Sequence, residues 1–300
     1  MMRLSCIGIG SNAIRMLSAE WDGERLCRVL RERRGTRLFA GLRDGWLSDE
    51  SIRSSTDAVA ELAEIARQTG AGEVFLFATS AVRDAKNGHV FTERCHELCG
   101  REAEILTGEE EAVYSYLGAC CGERAAVIDI GGGSTEITLG TGKEPREAVS
   151  LQMGAVRLCQ RQPIMCEADY LSQRQECLCL LEEGASPLVE QAKGSCWTGV
   201  GGTMTTLGAM QRGIPLFDGE QCEGMTVTAE TVCKWGRKLS SMSMPERRQV
   251  RGLMPHRADI MPAGLAILDA AMAFFGMETL RLSQQGNMDG YLKKKFQEMD

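Results

Sequence analysis

A short pattern occurs twice in this chain: an apolar strand, a turn of small residues, and a returning apolar strand. The first copy runs through residues 6–12 and the second through residues 126–136. Laid side by side, the two copies place Gly8 opposite Asp129. A glycine-rich turn between two apolar runs is typical of paired strands. The repetition therefore predicts a duplicated α/β fold with one such turn in each half.

The spacing of apolar residues around the two copies predicts alternating strands and helices. The first forty residues alternate apolar and polar positions, which indicates a three-stranded meander. Apolar residues then recur at helical spacing from 52 to 66, after the caps Ser48 and Asp49, and a buried strand follows at 74–77. Later helices are predicted around 167–183, 202–213, 228–240 and 257–275, and a strand is predicted at 279–282.

No proline- or serine-rich linker divides the chain. The domain boundary is therefore predicted only from the place where the pattern of strand, turn and returning strand begins again. We expect one domain over residues 1–122 and a second over residues 123–286.

Three glycine turns are candidate phosphate sites: Gly10-Ser11-Asn12, Gly131 to Thr135, and Gly201-Gly202-Thr203. Glycine lets backbone N–H groups approach a phosphate without a Cβ in the way, and such concave turns bind anions. A single turn of this kind is usually only a hairpin. Three of them, two in repeated context, predict a cleft that holds phosphates between two lobes. The third also opens a helix, whose N-terminus favours anions.

The segment 78–87 begins where a strand ends and carries hydroxyls, Arg83 and Lys86. Ligands bind at the carboxyl ends of strands in open α/β sheets, and a guanidinium can pair with two phosphate oxygens. We predict that Thr79 and Ser80 lie in a loop there. The alternative is a solvated loop with ordinary surface charges.

Three consecutive glutamates follow Thr107 and Gly108. Thr107 with Glu110 forms a capping-box pattern, which gives Glu110 a structural role at the start of a helix. Glu111 is the candidate general base, provided that it faces the cleft and the attacking water.

Composition narrows the class of ligand and the compartment. The net charge of −7 repels polyanions at long range, so a phosphate ligand must be held by local donors, and a general nucleic-acid binder is disfavoured. The apolar stretches are shorter than the ~18 residues that span a bilayer, and no signal-peptide core follows the first residues. The thirteen cysteines contain no Cys-x-x-Cys pair, so reduced thiols are favoured over a zinc site. We expect a cytoplasmic protein that binds no membrane.

The ordered set of motifs resembles that of the exopolyphosphatase / guanosine-pentaphosphate phosphohydrolase family. The similar blocks are residues 10–12, 78–83 with Asn87, 108–112, 129–136, 201–203, 257–259 with Pro262, and Gly286 with Gly290. The resemblance implies an actin-like fold of the acetate kinase and heat-shock protein type, a duplicated ribonuclease H-like fold whose two lobes enclose a cleft. It also implies the short two-domain form, with a last helix at about 287–300 that packs on the first lobe.

The same resemblance implies hydrolysis of the terminal phosphate of polyphosphate or guanosine pentaphosphate with Mg²⁺ or another divalent cation. In family terms Glu111 deprotonates the water, and Asp129 and Glu136 hold the metal. The implied phosphate ligands come from the glycine turns and one arginine: Gly10, Ser11, Asn12, Arg83, Gly132, Gly133, Ser134, Thr135, Gly202 and Thr203. A homodimer is compatible with the family.

The chain departs from the family pattern at three positions: Gly8 stands where an aspartate is usual, Ala13 where a serine is usual, and Met288 where an arginine is usual. A glycine cannot replace a carboxylate that helps to hold hydrated magnesium. Two alternatives to the hydrolase therefore stay open. One is a module that binds polyphosphate, an alarmone or a nucleotide without turnover, and the other is a phosphotransferase of the sugar-kinase or actin-like type.

Overall fold

The computed structural model describes residues 2–23, 25–214 and 219–299. The chain forms two compact units, here called unit 1 and unit 2. Unit 1 comprises the chain up to Tyr114 together with the segment from Asn287 onward, and unit 2 comprises Ser115–Gly286. The domain boundary expected from the sequence, between residues 122 and 123, stays a prediction.

Unit 1 is built on a five-stranded sheet. Its elements are β1 Arg3–Ile9, β2 Ile14–Trp21, β3 Leu26–Arg34, β4 Leu42–Arg43, β5 Trp46–Leu47, α1 Asp49–Gln68, β6 Glu73–Ala78, α2 Ser80–Arg83, α3 Gly88–Cys99, β7 Ala103–Ile105 and the first part of α4 Gly108–Ala119, up to Tyr114. The strand order is β3-β2-β1-β6-β7. The first three strands are antiparallel, whereas β6 is parallel to β1 and β7 is parallel to β6. The predicted meander and the buried strand at 74–77 are confirmed.

The first long helix follows from its cap and its apolar stripe. The Ser48 hydroxyl accepts a hydrogen bond from the N–H of Ser51 at 3.3 Å, which satisfies one of the free donors at the start of α1. Ile52, Val59 and Leu62 lie on the buried face. The predicted helix is confirmed, with Ser48 as the cap and Asp49 as its first residue.

Unit 2 repeats the arrangement with a six-stranded sheet. Its elements after α4 are β8 Arg124–Ile130, β9 Thr135–Thr141, β10 Glu144–Leu151, α5 Ala155–Arg161, α6 Glu167–Ala185, α7 Leu188–Ala192, β11 Cys196–Val200, α8 Gly202–Arg212, β12 Thr226–Thr228, α9 Ala229–Ser240, α10 Met244–Arg247, α11 Met261–Phe275 and β13 Thr279–Leu282. The sheet order is β10-β9-β8-β11-β13-β12. When only the strands of each sheet are numbered in chain order, the first sheet runs third, second, first, fourth, fifth. The second sheet runs third, second, first, fourth, sixth, fifth, so it has the same order for its first four strands, then β13, and β12 at the edge. This shared order confirms the duplicated, actin-like fold class.

Helix α11 forms the centre of unit 2. Twelve consecutive residues from Met261 to Met272 are buried, so this part of the helix is surrounded by protein on every side, and its one charged residue, Asp269, is paired with Arg174. Helices α6 and α9 pack against it. The last helix, α12 Asn287–Met299, packs on the sheet of unit 1, where the ring of Tyr291 lies 4.7 Å from that of Phe77.

Two local predictions were wrong. The helix predicted from about 257 begins at Met261, because Pro255–Arg257 forms a 3₁₀ turn and Pro262 occupies the first turn of α11, where its missing N–H costs nothing. The segment predicted as a loop at Thr79 and Ser80 instead starts the short helix α2. Across residues 2–23, 25–214 and 219–299, none of the helices combines the length and apolar character needed to cross a membrane.

Candidate active site

The glycine turns of the two repeats have the same geometry. The N–H of Gly10 donates to the carbonyl of Ala13 at 3.2 Å, and that of Gly131 donates to the carbonyl of Ser134 at 3.0 Å. A Cβ on either glycine would lie 3.0 Å from the same carbonyl oxygen. Side chains are therefore disfavoured at both positions, and the sequence repeat corresponds to a structural repeat.

The turn in unit 1 carries a buried hydroxyl pair and an amide. The Ser11 and Ser80 hydroxyls are 2.7 Å apart, and both side chains are buried. The Oδ1 and Nδ2 atoms of Asn12 are shielded from solvent and have no hydrogen-bond partner within the described ranges. Buried amides are normally paired, so the Asn12 side chain is suited to a ligand with both acceptor and donor atoms.

Glu111 and Arg83, predicted as base and phosphate ligand, are in contact within unit 1. The Nη1 of Arg83 donates to Oε2 of Glu111 at 3.3 Å and to the carbonyl of Leu106 at 2.9 Å. The amide of Asn287 donates to Oε1 of Glu111 at 3.5 Å. Glu111 is 6% exposed, so its carboxylate is held in place and largely shielded from bulk water. The Nη2 of Arg83 is buried and makes no hydrogen bond to any described residue.

The neighbouring Glu110 has a different environment. Its carboxylate accepts a hydrogen bond from the N–H of Thr107 at 2.8 Å, and its own N–H donates to the Thr107 hydroxyl at 3.1 Å. This reciprocal pair confirms the predicted capping box. The structural role of Glu110 leaves Glu111 as the buried carboxylate of the cluster.

Asp129 and Glu136 lie directly opposite each other on β8 and β9 of unit 2. Opposite residues on antiparallel strands share one face, so both carboxylates point to the same side of the sheet. The Ser115 hydroxyl donates to Oδ2 of Asp129 at 2.6 Å, and the Ser150 hydroxyl donates to Oε1 of Glu136 at 2.7 Å. Each carboxylate is thus buried and oriented by a serine.

The carbonyl groups of the second glycine turn face helix α5. The carbonyl of Gly132 accepts from the N–H of Val156 at 2.8 Å, and that of Gly133 accepts from Nε of Arg157 at 2.6 Å. A Cβ on Gly154 would overlap the backbone of Gly132 and Gly133. The close packing of α5 therefore fixes the turn.

Two predicted phosphate ligands of this turn are deeply buried. Ser134 is 2% exposed, and Thr135 is fully buried with its hydroxyl donating to the carbonyl of Met153. The Thr135 side chain is therefore engaged in holding the backbone that leads into α5.

The third glycine turn lies beside Asp129. Gly201 has a φ of +94°, which favours glycine, and a Cβ there would lie 2.7 Å from Oδ1 of Asp129. A Cβ on Gly202 would overlap the guanidinium of Arg257. The Thr203 hydroxyl is buried and has no partner among residues 2–23, 25–214 and 219–299. Unit 2 therefore brings the Asp129 carboxylate, the Gly202 turn and a guanidinium together.

Three residues at these sites had no functional role predicted from the sequence. Arg257 belonged to a motif block but had no assigned role, and Ser115 and Asn287 were not singled out. Their side chains come from distant parts of the chain, so no local pattern connects them with Gly202, Asp129 or Glu111.

The carboxylates of unit 2 fit a hydrated divalent cation. No group of three His, Cys, Asp or Glu side chains that could enclose a metal occurs in the part of the chain that the structure describes. Magnesium usually keeps several waters and uses one or two carboxylates together with substrate phosphates. The Asp129 and Glu136 pair matches that donor set.

Comparison with known proteins places the chain among phosphatases. The sequence profile of the Ppx/GppA phosphatase family matches residues 18–298. Exopolyphosphatase 2 of Mycobacterium tuberculosis is 30% identical over 311 residues, which cover 96% of this chain and 97% of that protein. The guanosine-5′-triphosphate,3′-diphosphate pyrophosphatase of Photobacterium profundum is 26% identical over 302 residues, which cover 98% of this chain and 59% of that protein.

Comparison of the fold with solved structures also identifies Ppx/GppA proteins as similar. The crystal structure of the Aquifex aeolicus member of the Ppx/GppA protein family is 27% identical in sequence, with a TM-score of 0.83, and covers 100% of this chain and 99% of that one. An exopolyphosphatase-like protein of known structure is 25% identical, with a TM-score of 0.88 and complete coverage of both chains. The profile match begins after the first copy of the repeat and includes the second, and the relatives align over nearly the entire chain. The chain belongs to the Ppx/GppA phosphatase family.

Proposed function

We propose that the protein hydrolyses the terminal phosphoanhydride bond of inorganic polyphosphate or of guanosine pentaphosphate. The observation that carries this proposal is the Glu111 carboxylate, buried and held by Arg83 and Asn287. The relatives named above are an exopolyphosphatase and a pyrophosphatase of guanosine pentaphosphate, which supports the same reaction class.

In the proposed reaction, a water oxygen attacks the terminal phosphorus and the bond to the bridging oxygen breaks. Glu111 accepts the proton of the water, and the products are orthophosphate and a chain shorter by one phosphate. Phosphoryl transfer depends mostly on positioning and on neutralising charge. The free Nη2 of Arg83 is suited to the second task, because it is a buried donor without a described partner.

The glycine turns supply the remaining phosphate contacts in this proposal. The proposed phosphate ligands of unit 1 are Ser11, Asn12 and the turn at Gly10. Those of unit 2 are Gly132, Gly133, Ser134, Thr135, Gly202, Thr203 and Arg257. Backbone N–H groups in glycine turns bind anions without a net positive surface, which agrees with the charge of −7.

We also propose that Asp129 and Glu136 hold Mg²⁺ through oxygen atoms and retained waters. The bound ion would neutralise charge on the phosphate oxygens. The serine hydroxyls of Ser115 and Ser150 keep the two carboxylates in position for it.

The alternative of binding without turnover rests on Gly8 and Ala13. The retained carboxylates Glu111, Asp129 and Glu136, each buried and hydrogen-bonded, favour the hydrolase instead. We place the reaction in the cytoplasm, which agrees with thirteen free thiols. A homodimer, and the lack of membrane or nucleic-acid partners, stay predictions.

The test measures phosphate release from polyphosphate and guanosine pentaphosphate with and without magnesium. Wild-type protein is expected to release phosphate only with the metal, and Asp129→Asn is expected to weaken Mn²⁺ binding measured by electron paramagnetic resonance. Glu147→Gln, an exposed carboxylate of β10, is the control. If the protein releases phosphate from neither substrate, the proposed hydrolase activity is rejected. Unchanged Mn²⁺ binding in Asp129→Asn would reject the metal site.

A further inference from the structure

A two-stranded hairpin in unit 1 exposes a tryptophan. Strands β4 and β5 are joined by Asp44 and Gly45, with φ values of +53° and +83°. Positive φ at both central residues is the requirement of a type I′ turn, whose twist matches that of a hairpin. Trp46 follows the turn, stands directly opposite Arg43, and is 53% exposed. Packing inside unit 1 therefore does not account for this side chain.

The hairpin is held rigidly by the end of the 78–87 segment. The Asn87 amide accepts from the N–H of Leu47 and donates to its carbonyl, both at 2.9 Å. The N–H of Lys86 donates to the carbonyl of Gly45 at 2.7 Å, and its Nζ donates to the carbonyl of Asp44 at 3.1 Å. Asn87, a motif residue that the proposed mechanism does not use, thus positions the strand next to Trp46.

The ring has cationic neighbours. The Nζ of Lys86 lies 5.9 Å from the centroid of Trp46, an arrangement that attracts a cation to one face of an indole. Arg43 is exposed on the opposite strand, and Asp44 supplies a carboxylate at the tip. The ring therefore offers an aromatic surface beside two positive groups and one negative group.

The hairpin adjoins the phosphate elements of unit 1. The N–H of Arg37 donates to the carbonyl of Asn12 at 3.1 Å, and the N–H of Phe39 donates to the carbonyl of Ser11 at 2.9 Å. The segment that enters β4 is thus bonded to the glycine turn. The segment that supports β5 continues from Arg83.

We propose that Trp46 is a stacking platform for the base of a guanosine polyphosphate. An aromatic side chain binds any nucleobase through its flat face, whereas inorganic polyphosphate has no ring to stack. Lys86 and Arg43 favour the anionic part of such a ligand. The platform makes the protein select nucleoside polyphosphates over polyphosphate. The inference rests on the proposed function, because the phosphates are taken to bind at the turn that contains Ser11 and Asn12.

The test compares the Kd of guanosine 5′-triphosphate with that of inorganic tripolyphosphate by calorimetry, since the two probes share three phosphates and differ by the nucleoside. Wild-type protein is expected to bind the nucleotide more tightly. Trp46→Leu is expected to lower this preference about tenfold, and Trp46→Phe to keep most of it.

Trp235→Leu is the matched control. Lys238 lies 4.7 Å from the Trp235 ring centroid, so this side chain also contacts a cation, but it belongs to unit 2 and its indole N–H donates to Gln211. We expect the control to keep the wild-type preference. An unchanged preference in Trp46→Leu, or no preference in wild-type protein, overturns the platform. If the protein prefers the nucleotide through Trp46 but releases no phosphate, the proposed hydrolase activity is rejected and the stacking platform is retained.

Discussion

Gly8 lies next to Met288 within unit 1, where a Cβ at position 8 would come within 3.6 Å of Cγ of Met288, an ordinary van der Waals contact. The same Cβ would lie 2.9 Å from Cζ of Phe77. Gly8 stands where the family pattern has an aspartate, and Met288 stands where it has an arginine. The two departures therefore occupy one place in the fold, where a glycine and two apolar side chains pack together.

This contact predicts that Gly8→Asp alone destabilises the protein. The new side chain meets the edge of Phe77 and places a carboxylate beside Met288, and overpacking of this kind costs about 1–3 kcal/mol. Adding Met288→Arg supplies a guanidinium to pair with the carboxylate. Urea unfolding of the two single variants and the double variant measures the coupling, which we expect to be favourable by about 1 kcal/mol. Strict additivity would show that the two positions act independently.

Glu111→Gln is expected to lower phosphate release roughly 10²- to 10⁴-fold while ligand binding changes little, because the amide cannot accept the proton of the attacking water. Release is measured with polyphosphate and binding by calorimetry. Glu110→Gln is the control, since its carboxylate serves the capping box with Thr107. An unaltered rate in Glu111→Gln would remove this residue from the mechanism.

Two glycines of unit 2 are expected to differ in their tolerance of alanine. A Cβ on Gly118 of α4 would overlap the carbonyl of Gly286, whereas a Cβ on Gly286 would lie 3.8 Å from Cβ of Val200, an ordinary contact. Gly118→Ala should therefore lower the free energy of unfolding by about 1–3 kcal/mol. Gly286→Ala should have a much smaller effect. Thermal unfolding of both variants tests the asymmetry, and equal losses would contradict it.

The buried thiols predict a loss of stability in alkaline solution. Burial raises the pKa of Cys177 from its ordinary value of 9.0 to about 12, and the pKa of Cys95 to about 12. The unfolded chain loses these protons first, so the contribution is complete below pH 9.0 and is lost as the pH rises through about 12. Each thiol should lower the free energy of unfolding by about 1.4 kcal/mol per pH unit in this range.

Cys177→Ala should reduce this alkaline slope, and the exposed Cys179→Ala should leave it unchanged. Urea unfolding at a series of pH values measures both. A slope in Cys177→Ala equal to that of the wild-type protein would show that this thiol is not the titrating group.

Local chemistry explains what the sequence predicted well. The strands around Gly10 and Gly131, the cap at Ser48 and the capping box at Thr107 each depend on residues within a few positions of one another. Their geometry follows from backbone sterics and short-range hydrogen bonds. For the same reason the repeated strand pattern indicated a duplicated α/β fold, whereas the actin-like fold class came from the family resemblance.

Short-range patterns in the sequence were thus enough to predict the duplicated fold, its glycine turns and the residue types available for phosphate chemistry. Which of these residues lie next to one another depends on the tertiary packing. Glu111 contacts Arg83 across 28 positions and Asn287 across 176. Gly8 faces Met288, and Gly202 faces Arg257, and in each case the two residues come from separate segments of the chain. Such contacts depend on how strands and helices pack, because a local pattern specifies the face of an element but not the side chain that the chain later brings against it.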